Sequence, residues 1–422
     1  MSNLDKHYEE LSKCSKCGFC QAFCPVYAVT GIEPMAARGR NAQLAGFIEG
    51  KLSLSEIEEA LSTCLLCRAC VPSCFSGVKT DELVRVGREE IEKNKRGSLL
   101  KELVFNTILP YPERMAVLLK GLFFLKKMGL GKLADRLDVI PAFLMMQYPR
   151  RFLRYRSSAE STGKGKTVAY FRSCGFNYLL PDAGEATIRV IQDLGYDVII
   201  PENNCCGLPP YAHGYTDVAK DLARKNIEAL ERYDLILTEC GSCSSFLKKY
   251  AELFSDDRKY AERAKRLSER ILDSSEFIFK NLQFTSHASH GANTRFAPTS
   301  HGLKVTYHDP CHLSRYQGIT SEPREIIKSI PGIEFIELPE ADWCCGGAGS
   351  YSIENKEISE KILERKINNV KKTGADILAT SCPSCMIQLS YGIKKAGLNI
   401  KVLHVNQLLN LTFKTPEIPA DK

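Results

Sequence analysis

Cysteine is the residue type that most clearly marks this chain for chemistry. The sequence of 422 residues contains 18 cysteines, and all of them fall into four groups. Such grouping in a long chain indicates metal sites rather than the disulfide framework of a small secreted protein. The four groups are Cys14, Cys17, Cys20, Cys24; Cys64, Cys67, Cys70, Cys74; Cys174, Cys205, Cys206, Cys240, Cys243; and Cys311, Cys344, Cys345, Cys382, Cys385.

The first two groups share the spacing Cys-x-x-Cys-x-x-Cys-x-x-x-Cys. Gaps of two residues allow three thiolates to surround one iron–sulfur cube, while the fourth cysteine of such a run ligates the other cluster. Zinc sites take four ligands, usually as two separated pairs, so the spacing does not favour zinc. The spacing therefore predicts two cubanes. The ligands of the first, called the cubane 1 set, are Cys14, Cys17, Cys20 and Cys74. The ligands of the second, called the cubane 2 set, are Cys64, Cys67, Cys70 and Cys24.

The third and fourth groups repeat a different pattern. Each has one cysteine after a predicted strand, then Cys-Cys-Gly, then Cys-x-x-Cys after another strand. We expect Gly207 and Gly346 to bend the backbone, so that two adjacent thiols reach one site. Five thiolates exceed the need of a single zinc and suit a cluster of several irons. Equivalent cysteines lie 137, 139 and 142 residues apart: Cys174 and Cys311, Cys205 and Cys344, Cys240 and Cys382.

The elements around these cysteines define the expected fold class. Helical composition surrounds the first two groups, whereas strands alternate with amphipathic helices around the other two, which predicts parallel α/β layers. Ligands bind at the carboxyl ends of strands in such sheets. We therefore predict an α-helical ferredoxin-like domain followed by a duplicated α/β domain. The expected segments are a two-cluster domain at 1–98, a helical connector and linker at 99–165, repeat 1 at 166–283, a loop at 284–300 and repeat 2 at 301–415.

These motifs resemble one known family over about residues 8–412. With all 18 motif cysteines in place, the chain resembles the iron–sulfur subunit of bacterial glycolate oxidase. Related proteins are the iron–sulfur subunits of lactate and anaerobic glycerol-3-phosphate dehydrogenases and the catalytic iron–sulfur subunit of heterodisulfide reductase. The resemblance implies a two-cluster ferredoxin domain joined to two cysteine-rich CCG repeats. It further implies a noncubane four-iron cluster in repeat 2, and a similar cluster or zinc in repeat 1.

The charge and the hydropathy of the chain bear on whether it binds nucleic acid or lies in a membrane. The formal net charge of +7 counts cysteine as neutral. Two four-thiolate cubanes carry about −2 each and would lower it to about +3, so the charge is poor evidence for nucleic-acid binding. The N-terminal residues lack an apolar signal region, and no apolar run is long enough to span a membrane. We expect a cytoplasmic protein. Helical spacing of apolar residues and lysines over Met115–Leu125 leaves a peripheral location on the inner face of the membrane as an alternative.

The sequence shows neither a dinucleotide fingerprint nor a P-loop, so the chain is not expected to oxidise an organic substrate alone. The resemblance implies an electron-transfer subunit of an FAD-dependent glycolate or lactate dehydrogenase, with a quinone or another carrier as acceptor. One alternative is disulfide reduction at a CCG cluster, and another is a zinc-stabilised scaffold. His308, His312 and His213 are candidates for tuning a cluster, but the interpretation favoured is that the backbone satisfies each ring.

Overall fold

The computed structural model describes residues 3–94, 99–125, 128, 165–287 and 302–413. Its N-terminal domain is helical, as the sequence predicts. The helix predicted from Ser53 onward begins at Leu54, where Ser53 and Glu56 form a reciprocal capping box. The α-helices of this domain are Tyr8–Ser12, Pro25–Thr30, Ala37–Ile48, Leu54–Ser62 and Thr80–Asn94, and the short 3₁₀ turns are Asn3–His7, Phe19–Gln21 and Glu33–Met35.

Repeat 1 is built on a parallel sheet whose strands lie in the order β2-β1-β3-β4. Its strands are β1 Lys166–Tyr170, β2 Tyr196–Ile199, β3 Ile236–Thr238 and β4 Ile271–Asp273. The α-helices are Cys174–Tyr178, Pro181–Asp193, Leu208–Ala212, Thr216–Leu230, Gly241–Leu247, Tyr250–Leu253, Arg258–Ser268 and Ser274–His287. The last helix continues past residue 283 into the segment predicted as a loop. The rest of that segment, residues 288–300, lies outside the described residues.

Repeat 2 has the same topology, because its parallel strands lie in the order β6-β5-β7-β8. Its strands are β5 Leu303–Tyr307, β6 Ile333–Phe335, β7 Ile377–Thr380 and β8 Lys401–His404. The α-helices are Cys311–Gln317, Ser321–Lys328, Tyr351–Glu354, Lys356–Thr373, Pro383–Lys395 and Val405–Phe413. The duplication predicted from the cysteine spacing is thus confirmed by the fold. Each sheet also has a fourth strand, β4 or β8, which the sequence analysis did not predict.

The two repeats share one apolar core and are not independent lobes. Helix Val405–Phe413 of repeat 2 packs on helix Pro181–Asp193 of repeat 1. Conversely, helix Ser274–His287 of repeat 1 packs on helix Ser321–Lys328 of repeat 2. Buried side chains from both sheets, including Tyr170 and Tyr307, belong to a single cluster. This reciprocal packing fixes the two sheets relative to each other, and therefore also the cysteines at their carboxyl edges.

The connector after the N-terminal domain is helical where the structure describes it. It contains Leu99–Glu102, a π-helical turn at Leu103–Ile108 and helix Pro112–Leu125. Within the apolar stripe of that last helix, Leu119 is buried and Met115 packs against repeat 1, whereas Leu118 is 42% exposed. The stripe therefore contributes at least in part to the core. Residues 129–164 of the predicted connector lie outside the described residues.

His404 ties the last strand of repeat 2 to repeat 1, and we expect it to make folding sensitive to acid. Its Nδ1 accepts from the backbone N–H of Asn406, and its Nε2 donates to the carbonyl of Glu239, both at 3.0 Å. Burial lowers the pKa of His404 to about 4. Below its ordinary pKa the unfolded chain binds a proton that the folded chain excludes, so stability falls as pH falls from about 6.5 towards 4.

The measurement is anaerobic denaturant unfolding of the wild-type protein and a His404→Gln variant at several pH values. The stability advantage of the wild type should shrink by about 2 kcal/mol between pH 7 and pH 5, given 1.36 kcal/mol per pKa unit. Comparing the two proteins cancels contributions from other buried groups, such as Glu239, whose pKa burial raises to about 7. A difference that does not change with pH would contradict the prediction.

Candidate iron–sulfur centres

The two motifs of the N-terminal domain adopt the same local conformation. In the first, Lys16 and Gly18 have positive φ angles of 57° and 83°. In the second, Leu66 and Arg68 occupy the equivalent positions with φ of 51° and 62°. Non-glycine residues rarely adopt this left-handed region, which turns the chain sharply. Both cysteine runs therefore curl in the same way, which is what two equivalent cubane sites require.

The structure places Cys24 beside the second motif. Burial raises the pKa of Cys70, and the nearby charges of Cys64, Cys67 and Cys24 raise it further. Cys74 lies at the opposite end of the motif, where it and Cys14 pack against the same apolar cluster of the helical domain. The exchange of fourth ligands between the motifs, as predicted from the spacing, is compatible with these positions and stays a prediction.

The two sets of cysteines differ in their exposure. In the cubane 1 set Cys17 is exposed, and Phe19, Phe23 and Phe75 beside this motif region are 54%, 48% and 82% exposed. In the cubane 2 set, by contrast, Cys24 and Cys67 are buried. The first site therefore lies near the surface, and the second lies between the helical domain and the repeats.

Each repeat brings its five cysteines together at the carboxyl edge of its sheet. In each repeat the thiols influence one another's pKa in one continuous series of neighbours. The first contact in repeat 1 is 4.0 Å between the Sγ atoms of Cys174 and Cys205, and the Sγ atoms of Cys345 and Cys385 in repeat 2 are 3.5 Å apart. The two series are Cys174–Cys205–Cys206–Cys243–Cys240 and Cys311–Cys344–Cys345–Cys385–Cys382.

A glycine after each Cys-Cys pair makes this convergence possible. Gly207 and Gly346 have φ angles of 92° and 81°, as expected for the predicted bend. A Cβ atom at Gly346 would lie 2.8 Å from the carbonyl oxygen of Ser359, and one at Gly207 would lie 3.3 Å from that of Ala219. Both positions therefore require glycine for backbone conformation, and Gly346 also requires it for space.

Three thiols of these groups have a lowered pKa, which favours the thiolate. Hydrogen bonds with Cys344 and Cys385 lower the pKa of Cys345 well below its ordinary value. Hydrogen bonds from Cys205 and Cys243 lower the pKa of Cys206 to about 6. Hydrogen bonds from Cys385 and from the Ser242 hydroxyl lower the pKa of Cys382 to about 6. Metal ligation requires the thiolate, so these contacts favour the form that binds iron.

The helical domain meets repeat 2 at its cysteines. Cys67 and Cys344 belong to the same buried cluster, and the proximity of the Cys344 thiol raises the pKa of Cys67. Arg315 and Tyr351 of repeat 2 donate to the carbonyls of Cys67 and Thr63, at 3.3 and 3.0 Å. The cubane 2 set and the five cysteines of repeat 2 are therefore direct neighbours, a relation that the sequence did not indicate.

The two repeats also meet at their cysteines. The Ser242 hydroxyl, between Cys240 and Cys243 of repeat 1, lies 3.5 Å from the Sγ of Cys382 in repeat 2. The N–H of Gly241 donates to the carbonyl of Ser381 at 3.1 Å. These contacts place the five-cysteine groups side by side across the boundary between the repeats.

A cavity of about 740 Å³ lies between the helical domain and both repeats. Thiols from three of the four cysteine groups line it, including Cys64, Cys206 and Cys345. Lys249 and Arg88 add positive charge to its wall, and several carboxylates add negative charge. The cysteine groups thus face a common interior space.

The three histidines singled out in the sequence have different surroundings. His312 Nδ1 lies 3.3 Å from the Ser245 hydroxyl, and His213 Nε2 lies 2.8 Å from that of Ser350. The interpretation that the backbone satisfies these rings is therefore wrong, since side chains do so. For His308, which is 1% exposed, the Ala341 carbonyl is the backbone group within reach of the ring, but no well-formed hydrogen bond joins either ring nitrogen to the described residues.

The fold and these sites define a class: iron–sulfur proteins that join a dicluster helical domain to two cysteine-rich α/β repeats. Family models for a 4Fe-4S dicluster domain match residues 10–78, and those for a cysteine-rich domain match 168–248 and 305–390. A model for the linker region of the glycolate oxidase iron–sulfur subunit matches 96–147. Within the described ranges, every helix is too short or too polar to cross a lipid bilayer.

The chain belongs to the glycolate oxidase iron–sulfur subunit family. It is 35% identical to the probable glycolate oxidase iron–sulfur subunit of Bacillus subtilis, over 95% of this chain and 93% of that protein. It is 32% identical to lactate utilization protein A of a Geobacillus species, over 58% of this chain and 98% of that protein. It is also 34% identical to one of the subunits of a fumarate reductase (CoM/CoB) from Methanothermobacter marburgensis, over 60% of this chain and 48% of that protein.

Among solved structures, a hypothetical protein from Helicobacter pylori has a similar fold. Its crystal structure aligns with 99% of this chain and 74% of its own, with a TM-score of 0.57 and 10% identity. At that identity the likeness concerns the fold alone. The alignment shows that a similar fold extends over nearly the whole of this chain, including the helical domain and both repeats.

Proposed function

We propose that this chain carries electrons from an FAD-containing 2-hydroxyacid dehydrogenase subunit to a quinone or another carrier, with glycolate or lactate as the organic substrate. The observation that carries the proposal is the continuity of the cysteine sets. Cys67 of the helical domain lies in one buried cluster with Cys344 of repeat 2, and Cys382 of repeat 2 lies 3.5 Å from the Ser242 hydroxyl of repeat 1. Such a series supports electron transfer through the whole chain.

The need for a flavin partner follows from the chemistry of the redox groups. Hydroxy acids lose two electrons as a hydride, whereas iron–sulfur clusters take up and release electrons one at a time. The sequence contains no dinucleotide fingerprint that would let this chain hold the flavin or nicotinamide itself. The names of its relatives, which include glycolate oxidase and lactate utilization proteins, support the choice of substrate.

The residues fit four iron–sulfur clusters. In both repeats the five thiols neighbour one another in the same sequence of pairs. This supports the same kind of cluster in each repeat and argues against zinc in repeat 1 alone. The test is iron, zinc and acid-labile sulfide per chain after anaerobic purification. About 16 irons are expected for four four-iron clusters. About 12 irons with one zinc would assign zinc to one repeat.

The function is tested by purifying the tagged chain anaerobically from its own host. A flavoprotein should copurify, and glycolate or lactate should bleach the broad iron–sulfur absorption of the complex. The chain separated from that flavoprotein should keep its clusters and show no bleaching with either acid. Bleaching without flavin, or a complex that responds to neither acid, would contradict the proposal.

The cavity between the cysteine groups favours one second candidate. Thiols of both repeats line one space of about 740 Å³ that includes the cluster sites themselves, and a disulfide bound in the remainder would lie beside both groups. The measurement is disulfide reduction by the purified chain with a chemical electron donor and no flavin subunit. Turnover under these conditions would favour disulfide reduction over simple electron transfer.

A further inference from the structure

His308 is a buried polar side chain that lies beside cysteine sulfur and, among the described residues, makes no well-formed hydrogen bond through its ring. It follows strand β5, and its backbone N–H donates to the carbonyl of Ala379 at 2.9 Å. One of its ring nitrogens lies within 4.8 Å of the Sγ atoms of both Cys345 and Cys385. Within the described part of the chain the ring approaches the Ala341 carbonyl, but no well-formed hydrogen bond reaches either ring nitrogen. Leaving a buried N–H unpaired costs free energy, so the position calls for an acceptor.

Repeat 1 supplies an internal comparison. Phe171 stands three residues before Cys174, as His308 stands three residues before Cys311. The N–H of Phe171 donates to the carbonyl of Leu237 at 2.7 Å, which is the same contact that His308 makes in repeat 2. Phe171 is fully buried. The two cysteine groups therefore have the same arrangement of neighbouring thiols but differ at this position, where only repeat 2 has a side chain with an N–H donor.

We propose that the His308 ring donates a hydrogen bond to the cysteine sulfurs of the repeat 2 cluster and raises its reduction potential above that of repeat 1. Neutral or protonated, an imidazole has at least one N–H to donate. Reduction adds negative charge to a cluster, and a donor to its sulfurs stabilises the reduced form. Ser242 acts in the same direction through Cys382, whereas its counterpart Ser384 accepts from the N–H of Gly349.

Hydrogen-bond donation fits the surroundings of His308 better than ligation of iron. A histidine that binds metal nearly always donates its other ring nitrogen through a well-formed hydrogen bond, and within the described residues the approach of His308 to the Ala341 carbonyl is not one. Repeat 1 assembles the same five thiols without any histidine at this position. The five cysteines are therefore the expected ligands, and His308 is a positioning and tuning residue.

The inference rests on the proposed cluster in repeat 2, which the iron count tests separately. The first experiment is an anaerobic redox titration, followed by electron paramagnetic resonance, of the wild type and of a His308→Phe variant that copies repeat 1. The variant should keep its full iron content, and only one of the cluster potentials should become more negative. A His308→Gln variant, which keeps an N–H donor, should recover part of the loss. Unchanged potentials, or loss of iron in both variants, would overturn the proposal.

A second measurement uses the wild-type protein and does not depend on how the variants fold. Histidine labelled with ¹⁵N in the ring is incorporated, and the reduced clusters are examined by pulsed electron–nuclear double resonance. A weak nitrogen coupling is expected, together with a proton that exchanges with deuterium. A strong coupling would show direct ligation by histidine, and no coupling would show that the ring does not contact a cluster; either result overturns the proposal.

Discussion

Replacing Cys24 with alanine should remove the cluster of the second motif and leave that of the first motif in place. Cys24 follows Cys20 in the sequence, and its charge acts on Cys64, Cys67 and Cys70 of the second motif as well as on Cys20. We expect a Cys24→Ala variant to contain about four fewer irons per chain. Because Cys67 is the contact with Cys344, electron exchange between the surface cluster and the repeats should stop, and turnover of the complex should fall to background.

A Cys74→Ala variant is the matched control. It should lose the same amount of iron, but from the cubane 1 set. Magnetic coupling between a reduced cubane and the cluster of repeat 2 should therefore persist in Cys74→Ala and disappear in Cys24→Ala. Electron paramagnetic resonance of the reduced proteins distinguishes the two cases. The opposite pattern would mean that each motif keeps its own fourth cysteine.

Much of this site could be predicted from the sequence because its determinants are local. Thiolate spacing is a property of a few neighbouring residues, and the predicted bends at Gly207 and Gly346 depend on one φ angle each. Alternating strands and helices, together with the repeated cysteine spacing, were enough to predict two equivalent parallel sheets. The short strands β4 and β8 lacked a distinctive pattern of their own, since each has only three or four residues.

Relations between distant segments could not be predicted in this way. The contact of Cys67 with Cys344 depends on how the helical domain packs on repeat 2. The packing of helices from each repeat on the other depends on their shared apolar cluster, which no local pattern encodes. His308 shows the same limit, because a lone histidine is usually satisfied by nearby polar groups. Only the folded chain reveals that, among the described residues, neither ring nitrogen of His308 makes a well-formed hydrogen bond.

Arg40 is the second position where we expect a large effect, because it is a buried cation beside the cubane 2 set. It is 2% exposed, and its guanidinium donates to the Ala60 carbonyl at 2.6 Å and to Thr63 Oγ1 at 3.3 Å. Burial opposes its charge, but the nearby charges of Cys64 and Cys24 more than compensate and raise the pKa of Arg40. An Arg40→Met variant should lose about 3–5 kcal/mol of stability, as expected when one partner of a buried ion pair is removed.

Arg38 provides the control for this effect, because it lies two residues away beside the more exposed cubane 1 set. Its side chain is 33% exposed and pairs with Glu33, so an Arg38→Met variant should lose much less stability than Arg40→Met. Both variants are compared by anaerobic denaturant unfolding followed through the cluster absorption. The potential of one cubane should also become more negative in Arg40→Met, because a positive charge stabilises the reduced cluster. Equal losses in the two variants would mean that burial does not decide the contribution of these arginines, and that the cubane 2 set does not depend on Arg40 for its charge balance.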